Sequence, residues 1–243
     1  MISGVKALVF DVFGTVVDWR TSIIEECAKL GNSKGIVADW GLFTNGWRAR
    51  YTPFMDKVRR RELPWTNLDS LHRMALEELL VEFDINGLSE SDKTELVLAW
   101  HRLQPWPDSV LGLARLKQHF IIATLSNGNV ALLTNMAKSA GLPWDCILSA
   151  ELAKAYKPDR EVYEMATRLL GLRPEQVMMV AAHQGDLRSA QQVGLRTAFV
   201  IRPFEHGPDN VLDLTPDPSF DLVISGLGQL ASEMGAQIQR AGR

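Results

Sequence analysis

The sequence predicts an α/β protein with a doubly wound parallel sheet and a helical cap inserted after the first strand. Near-continuous apolar runs alternate with helical segments along most of the chain. One long stretch, between the first and second apolar runs, has helical periodicity instead. Alternating strands and helices require βα crossovers and so predict the parallel sheet, whereas the helical stretch predicts the insertion.

Five apolar runs have the length and composition of strands that are buried on both faces of a sheet. They cover residues 5–10, 120–125, 177–182, 197–201 and 222–224. The helical segments between them cover residues 130–140, 161–170 and 187–193, and a glycine follows each one. Because glycine readily adopts the left-handed conformation that ends many helices, these glycines predict helix C-termini.

The inserted stretch runs from about Asp18 to about Leu103 and carries amphipathic helical patterns, for example at residues 70–80 and 93–103. A connector with two prolines follows at residues 104–108, and proline cannot continue a helix. We therefore expect a catalytic core formed by residues 1–17 and 104–243, with a helical cap formed by residues 18–103.

The composition is that of a globular protein, with 46% hydrophobic and 23% charged residues. The net charge of −3 argues against a nucleic-acid or anionic-membrane partner, and no apolar stretch approaches the ~20 residues that span a bilayer. The basic run at residues 57–61 is interpreted as a solvated helix face. Cys27 and Cys146 lack paired or metal-like spacing, which predicts a reduced, cytoplasmic setting.

Polar residues follow several predicted strands, namely Asp11, Ser126, Asn127 and the segment from His183 to Asp186. In an open α/β sheet the ligand site lies beyond the carboxyl ends of the strands. These side chains are therefore expected to meet at one edge of the sheet, and Lys157, just before a predicted helix, is expected to join them.

The motifs Asp11-x-x-Gly14-Thr15, Leu125-Ser126-Asn127-Gly128 and Tyr156-Lys157-Pro158-Asp159, with the later Asp186, together resemble the haloacid dehalogenase superfamily. Within it, the chain is most similar to the L-2-haloacid dehalogenases, over nearly its whole length. The resemblance implies a Rossmann-like core and hydrolysis of short 2-haloalkanoic acids to 2-hydroxy acids, with no cofactor and no metal. It implies a haloacid and a halide as ligands, and homodimers are common among such relatives.

Asp11 is the predicted nucleophile, because a carboxylate needs no deprotonation at pH 7 and can form an ester that water later hydrolyses. Lys157 matches the lysine that lies beside the nucleophile in this family. Its ammonium group would keep Asp11 ionised, and Asp186 is expected to pair with it. A surface ion pair is the alternative for Lys157 and Asp186.

Thr15, Ser126 and Asn127, with the backbone N–H groups of Val12 and Phe13, are expected to hold a substrate carboxylate for in-line attack. Ser126 and Asn127 are also ordinary residues for a helix N-cap, which is the alternative interpretation.

Arg48, in the predicted cap, resembles the arginine that faces the leaving halogen in this family. Arg50 is a nearby competitor for that role, and a solvated helix arginine is the other alternative.

His183 lies where many relatives carry Ser-x-Asn before the last aspartate. An imidazole can accept a proton from water near neutral pH, so we expect His183 to activate the water that hydrolyses the ester. A histidine that is merely hydrogen-bonded at the rim is the alternative. The remaining histidines, His72, His101, His119 and His206, are placed away from the strand ends and receive no role.

Two other functions stay open. One is a Mg²⁺-dependent phosphatase or phosphonate hydrolase, but the positions that carry acidic residues in that branch are Phe13 and Ala182 here. Mg²⁺ requires several oxygen ligands, and Asp11 with Asp186 is a small set. The other is a non-catalytic binding protein, which the charged rim disfavours because buried charges are costly.

Overall fold

The computed structural model of the chain describes residues 4–208, 210 and 214–241, the side chains up to residue 235. Within this part of the chain, one parallel sheet and one short antiparallel ribbon contain all the strands. In chain order the strands are β1 (Ala7–Phe10), β2 (Val17–Asp18), β3 (Gln104–Pro105), β4 (Ile121–Ser126), β5 (Cys146–Ser149), β6 (Val177–Ala181), β7 (Arg196–Val200) and β8 (Leu222–Ile224).

The sheet has the strand order β5-β4-β1-β6-β7-β8, and every neighbouring pair is parallel. Each residue of β1 is fully buried, since helices cover both faces, and this explains its unbroken apolar run. Phe10 pairs with Thr124 and Val180, so the segments after β1, β4 and β6 leave the same edge of the sheet. The predicted fold class is confirmed.

The helices surround this sheet and build the insertion. They are α1 (Trp19–Lys34), α2 (Trp40–Ala49), α3 (Tyr51–Arg59), α4 (Leu68–Glu82), α5 (Glu90–Ala99), α6 (Ser109–Lys117), α7 (Val130–Ala140), α8 (Ala150–Ala153), α9 (Arg160–Leu170), α10 (Gln184–Gln192) and α11 (Leu227–Ala241). Gly141 and Gly171 end α7 and α9 with positive φ angles of 66° and 64°, as their positions predicted. No helix among the described residues is long and apolar enough to span a membrane.

Helices α1 to α5 lie between β2 and β3, which pair antiparallel where the chain enters and leaves the insertion. The helical cap is therefore present, and the expected boundaries at 17/18 and 103/104 fall at this ribbon. The exact division into domains stays a prediction.

Two elements differ from the sequence-based expectation. Strand β5 was not predicted, because its four residues include only two large aliphatic side chains and half of it is only partly buried. Helix α10 begins at Gln184 rather than at Leu187, since its first turn is polar and faces the site.

An aromatic cluster joins the cap to the loop after β1. The Trp19 and Trp100 rings stack with centroids 6.4 Å apart, and the Phe13 ring meets Trp100 edge-on at 6.1 Å. Trp47 contacts Trp100 at 5.5 Å and donates a hydrogen bond to the carbonyl of His72. This packing holds α2, and hence Arg48, above the end of β1.

Candidate active site

A cavity of about 700 Å³ lies between the carboxyl edge of the sheet and helices α2 and α3 of the cap. The predicted site residues that line it are Asp11, Phe13, Arg48, Asn127, Lys157, His183 and Asp186. Parallel strands deliver the core residues to one edge, whereas Arg48 comes from the cap.

Asp11 directly follows β1 and is almost completely buried. Lys157 Nζ donates to Asp11 Oδ1 at 2.9 Å, and Thr15 Oγ1 donates to Oδ2 at 2.8 Å. His183 Nδ1 lies 3.2 Å from the same Oδ2. Burial opposes ionisation of this carboxyl group, but Lys157 and His183 outweigh it and hold the pKa of Asp11 well below its usual range. Asp11 is therefore an ionised carboxylate at neutral pH.

Lys157 lies between two carboxylates. Its Nζ is 2.9 Å from Asp11 Oδ1 and 2.5 Å from Asp186 Oδ2, so the expected pairing is present. Tyr163 Oη donates to Asp186 Oδ1 at 2.6 Å. Burial disfavours the charge on Lys157, but Asp11 and Asp186 overcome it and raise the pKa of the ammonium group. This geometry keeps a fixed positive charge against Asp11.

The donor set at this edge does not fit Mg²⁺. The Lys157 ammonium group bridges Asp11 and Asp186, and the side chains of Phe13 and Ala182 offer no oxygen. Among the residues that the structure describes, no group of three or more His, Cys, Asp or Glu side chains converges as a metal site.

His183 bridges Asp11 and a second buried carboxylate, Glu205. Its Nε2 lies 2.9 and 3.0 Å from the two Glu205 oxygens, while Nδ1 faces Asp11. Burial lowers the pKa of His183, but Glu205 and Asp11 raise it to about 10. The imidazole is consequently protonated at neutral pH, with a carboxylate against each ring nitrogen.

Glu205 was not predicted from the sequence. It lies in the turn after β7, only 2% exposed, and also accepts a hydrogen bond from Trp19 Nε1 at 3.2 Å. No periodicity or motif in the sequence marks this turn. The one feature that could have indicated Glu205 is that β7 is parallel to β6, so the residues after β7 leave the sheet at the same edge as Asp11 and His183. His206, which was placed away from the site, lines the cavity from the same turn, so that expectation was wrong.

Gly14 makes room for Glu205. It has a φ of +84°, and an added Cβ atom would lie 2.1 Å from Glu205 Oε1. The glycine of the first motif therefore serves both the turn and the buried carboxylate that holds His183.

We expect Gly14→Ala to destabilise the protein by more than about 2 kcal/mol, because it combines a positive φ with a clash against a buried charge. Gly185→Ala is the matched control, because no atom beyond its chain neighbours and its own helix backbone lies within 4 Å of the added Cβ. The control should stay within about 1 kcal/mol of the wild type. Urea denaturation of both variants measures the difference, and equal stabilities would contradict this packing argument.

Arg48 presents its guanidinium group to the cavity. Its Cζ lies 4.1 Å from the Tyr51 ring centroid and 5.3 Å from that of Trp19. Arg48 Nη1 is buried and has no hydrogen-bond partner among the described residues. Arg50, the competing arginine, forms ion pairs with Glu78 and Glu82 instead. An unpaired N–H group surrounded by aromatic rings is suited to receive an anion.

Of the side chains expected to hold a substrate carboxylate, one lines the cavity and two do not. Asn127 lines the cavity, and its Oδ1 accepts from the Lys157 backbone N–H at 2.8 Å. Thr15 and Ser126 are fully buried and do not line the cavity. Thr15 Oγ1 donates to Asp11 and accepts from Ala182 N at 2.9 Å, so this hydroxyl group is already engaged.

Val12 is buried beside Asp11, and Phe13 places its ring on the cavity wall. Ser126 Oγ accepts from the backbone N–H of Gly128 at 3.3 Å, which fits the alternative of a structural hydroxyl in this loop. Contacts of these residues with a substrate stay a prediction.

Comparison with known proteins gives a consistent result. The family model for haloacid dehalogenase-like hydrolases matches residues 5–194. (S)-2-haloacid dehalogenase 1 of Pseudomonas sp. (strain CBS-3) is 30% identical, with 82% of this chain and 85% of that protein covered.

Two solved structures are more similar in sequence. The L-2-haloacid dehalogenase PA0810 is 46% identical with a TM-score of 0.93, covering 96% of this chain and 100% of its own. The defluorinating L-2-haloacid dehalogenase Rha0230 is 44% identical with a TM-score of 0.92, covering 95% of both chains.

Proposed function

Because the chain belongs to the haloacid dehalogenase-like hydrolases, we propose that it hydrolyses the carbon–halogen bond of 2-haloalkanoic acids to give 2-hydroxy acids. Its relatives include named (S)-2-haloacid and L-2-haloacid dehalogenases. The observation that carries the proposal is the presence in one cavity of an ionised, buried Asp11 and of Arg48, whose Nη1 has no hydrogen-bond partner among the described residues. The first supplies a nucleophile, and the second supplies a receptor for the departing halide.

In the first step, a carboxylate oxygen of Asp11 attacks C2 of the haloacid. The new C–O bond forms as the carbon–halogen bond breaks, and the halide leaves with the bonding electron pair. A halide is a weak base and needs no proton, so the apolar Phe13 is acceptable beside the nucleophile. Arg48 receives the halide, and the rings around it exclude water.

Esterification removes the negative charge of Asp11 and so changes His183. One of the two carboxylates that raise the pKa of His183 is lost, while Glu205 still holds Nε2. His183 can then release the proton at Nδ1 to solvent and become a base. The side chain is 35% exposed, so it has access to water in the cavity.

In the second step, water attacks the carboxyl carbon of the Asp11 ester and gives one proton to His183 Nδ1. The second proton of that water passes to the departing oxygen as the acyl C–O bond breaks. The 2-hydroxy acid then leaves, the Asp11 carboxylate is restored and His183 is again an imidazolium. Each cycle consumes one water and releases one halide and one proton, so atoms and charge balance.

The other residues support these steps. Lys157 and Asp186 maintain the electrostatics around Asp11, and Thr15 holds the orientation of the attacking carboxylate. Asn127 contacts the substrate carboxylate, and Ser126 shapes its loop. The cap, residues 18–103, covers a core of residues 1–17 and 104–243. The partners are the haloacid and the halide; a homodimer and a cytoplasmic location complete the proposal.

Halide release is the direct test of this function. In EDTA, the wild type should release halide from chloroacetate and 2-chloropropionate, because the proposed chemistry routes no step through a metal. Asp11→Asn is the control and should release none above background. Release that depends on added Mg²⁺, or equal release by both proteins, would contradict the proposal.

A further inference from the structure

The cavity is much larger than the fragment that reacts. It has about 700 Å³ of space. The six non-hydrogen atoms of 2-chloropropionate occupy on the order of 100–150 Å³, judged from the ~30 Å³ volume of a water molecule. On the basis of the proposed function, we infer that the preferred substrates are 2-haloacids whose C2 carries an uncharged, largely apolar substituent well beyond methyl.

The proposed mechanism assigns the directions of two substituents of C2. In-line attack places the halogen opposite Asp11, toward Arg48, and the substrate carboxylate lies near Asn127. With those two of the four substituents of C2 assigned, its hydrogen atom and its side chain remain, and the side chain is directed into the remaining space. A hydrogen atom or methyl group would leave most of that space filled with water.

The exposed surface of the cavity as a whole is mainly apolar. Its apolar contributors include Ala49 and Met55 from the cap and Pro158 and the Tyr163 ring from the core. Gly185 opens the core side further, because it lines the cavity and no atom beyond its chain neighbours and its own helix backbone lies within 4 Å of an added Cβ. An alkyl or aryl substituent can therefore bury surface here without displacing protein atoms.

The outer rim disfavours a charged substituent. Arg59 pairs with Asp56 at 2.8 Å and with Asp159 at 2.8 Å, so its charge is already neutralised. Lys157 is likewise paired twice, and Arg48 is reserved for the halide. Apart from Arg48, every lysine and arginine among the described residues that line the cavity is paired, so a second carboxylate on the substrate would lack a cationic partner.

A substrate series tests the inference. Halide release is measured for chloroacetate and for racemic 2-chloropropionate, 2-chlorobutyrate, 2-chlorohexanoate and 2-chlorosuccinate. We expect kcat/KM to rise by about threefold to fourfold per buried methylene from the three-carbon to the six-carbon acid. 2-Chlorosuccinate should fall at least tenfold below 2-chlorobutyrate, which has the same number of carbons.

Two variants fill the space from opposite walls. Gly185→Leu acts from the core and Ala49→Leu from the exposed end of α2, so a folding defect in one leaves the other informative. Each should lower the kcat/KM ratio of 2-chlorohexanoate to chloroacetate at least tenfold.

Three outcomes would overturn the inference. The first is a kcat/KM for 2-chlorohexanoate equal to or below that for 2-chloropropionate, and the second is an unchanged ratio in both variants. With chloroacetate still turned over, either result leaves the proposed function intact. The third, no halide release from any acid, overturns the proposed function as well.

Discussion

Asp11→Asn should reduce halide release by on the order of 10⁴-fold or more, since it replaces the proposed nucleophile with an amide. The buried ammonium group of Lys157 would then lack one of its two carboxylates. The variant will therefore also be less stable, and part of the reduction in halide release will come from unfolded protein. For this reason steady-state rates alone do not identify the nucleophile.

Oxygen labelling in the wild type separates these effects. In a single turnover in water enriched in ¹⁸O, with enzyme in excess, one heavy oxygen should enter the Asp11 carboxylate, because water attacks the carboxyl carbon of the ester. Mass spectrometry of the peptide that contains Asp11 detects it. Label found exclusively in the 2-hydroxy acid would mean that water attacks C2 directly, and the ester mechanism would be wrong.

His183→Ala should slow turnover by about 10²- to 10⁴-fold, the usual contribution of a general base, while the first step continues. We expect a burst of about one halide per enzyme and accumulation of an ester on Asp11, visible as a mass increase of the intact protein. His119→Ala is the control, because His119 is exposed and distant from the cavity. Normal turnover in His183→Ala would exclude this role.

Glu205→Gln tests whether Glu205 positions His183. The measured quantity is the pKa of His183, which would not change if Glu205 had a purely structural role. Among the groups that raise the pKa of His183, the Glu205 carboxylate has the largest effect. The variant should therefore lower this pKa from about 10 toward its ordinary value. NMR titration of the imidazole in both proteins measures the shift. An unchanged pKa would contradict the assigned contact.

The same shift implies a pH dependence of stability. The folded-state pKa of about 10 lies above the ordinary histidine value of 6.5, which applies to the unfolded chain. The stabilisation by His183 is therefore complete below pH 6.5, and it is lost as the pH rises from there toward 10. When denaturation is measured across this pH range, the free energy of unfolding should decrease less in Glu205→Gln than in the wild type.

Much of the core could be predicted because its strands are buried on both faces, and such strands have unbroken apolar runs in the sequence. The residue after β1 must lie at the carboxyl edge of the sheet, and parallel pairing brings the ends of β4 and β6 beside it. Asp11 and Asn127 could thus be placed near each other from the chain alone. Strand β5, short and partly exposed, lacks this signature.

The tertiary structure decided how individual side chains are used. Arg48 and Arg50 are two residues apart on adjoining helical turns, and packing against Trp19 and Tyr51 selects the one that faces the cavity. The Thr15 hydroxyl group accepts a hydrogen bond from the backbone N–H of Ala182, and this contact orients it to donate to Asp11. Such choices depend on neighbours that are distant in the sequence.

Glu205 is the clearest example of the difference. Its sequence neighbourhood shows no periodicity, and its burial depends on the missing side chain of Gly14 and on Trp19, both far away in the chain. The sequence by itself determined most strands of the sheet, the helical insertion and the position of Asp11, since these follow from local hydrophobic patterns and strand ends. The charge state and orientation of His183 follow from contacts between loops, which only the folded chain brings together.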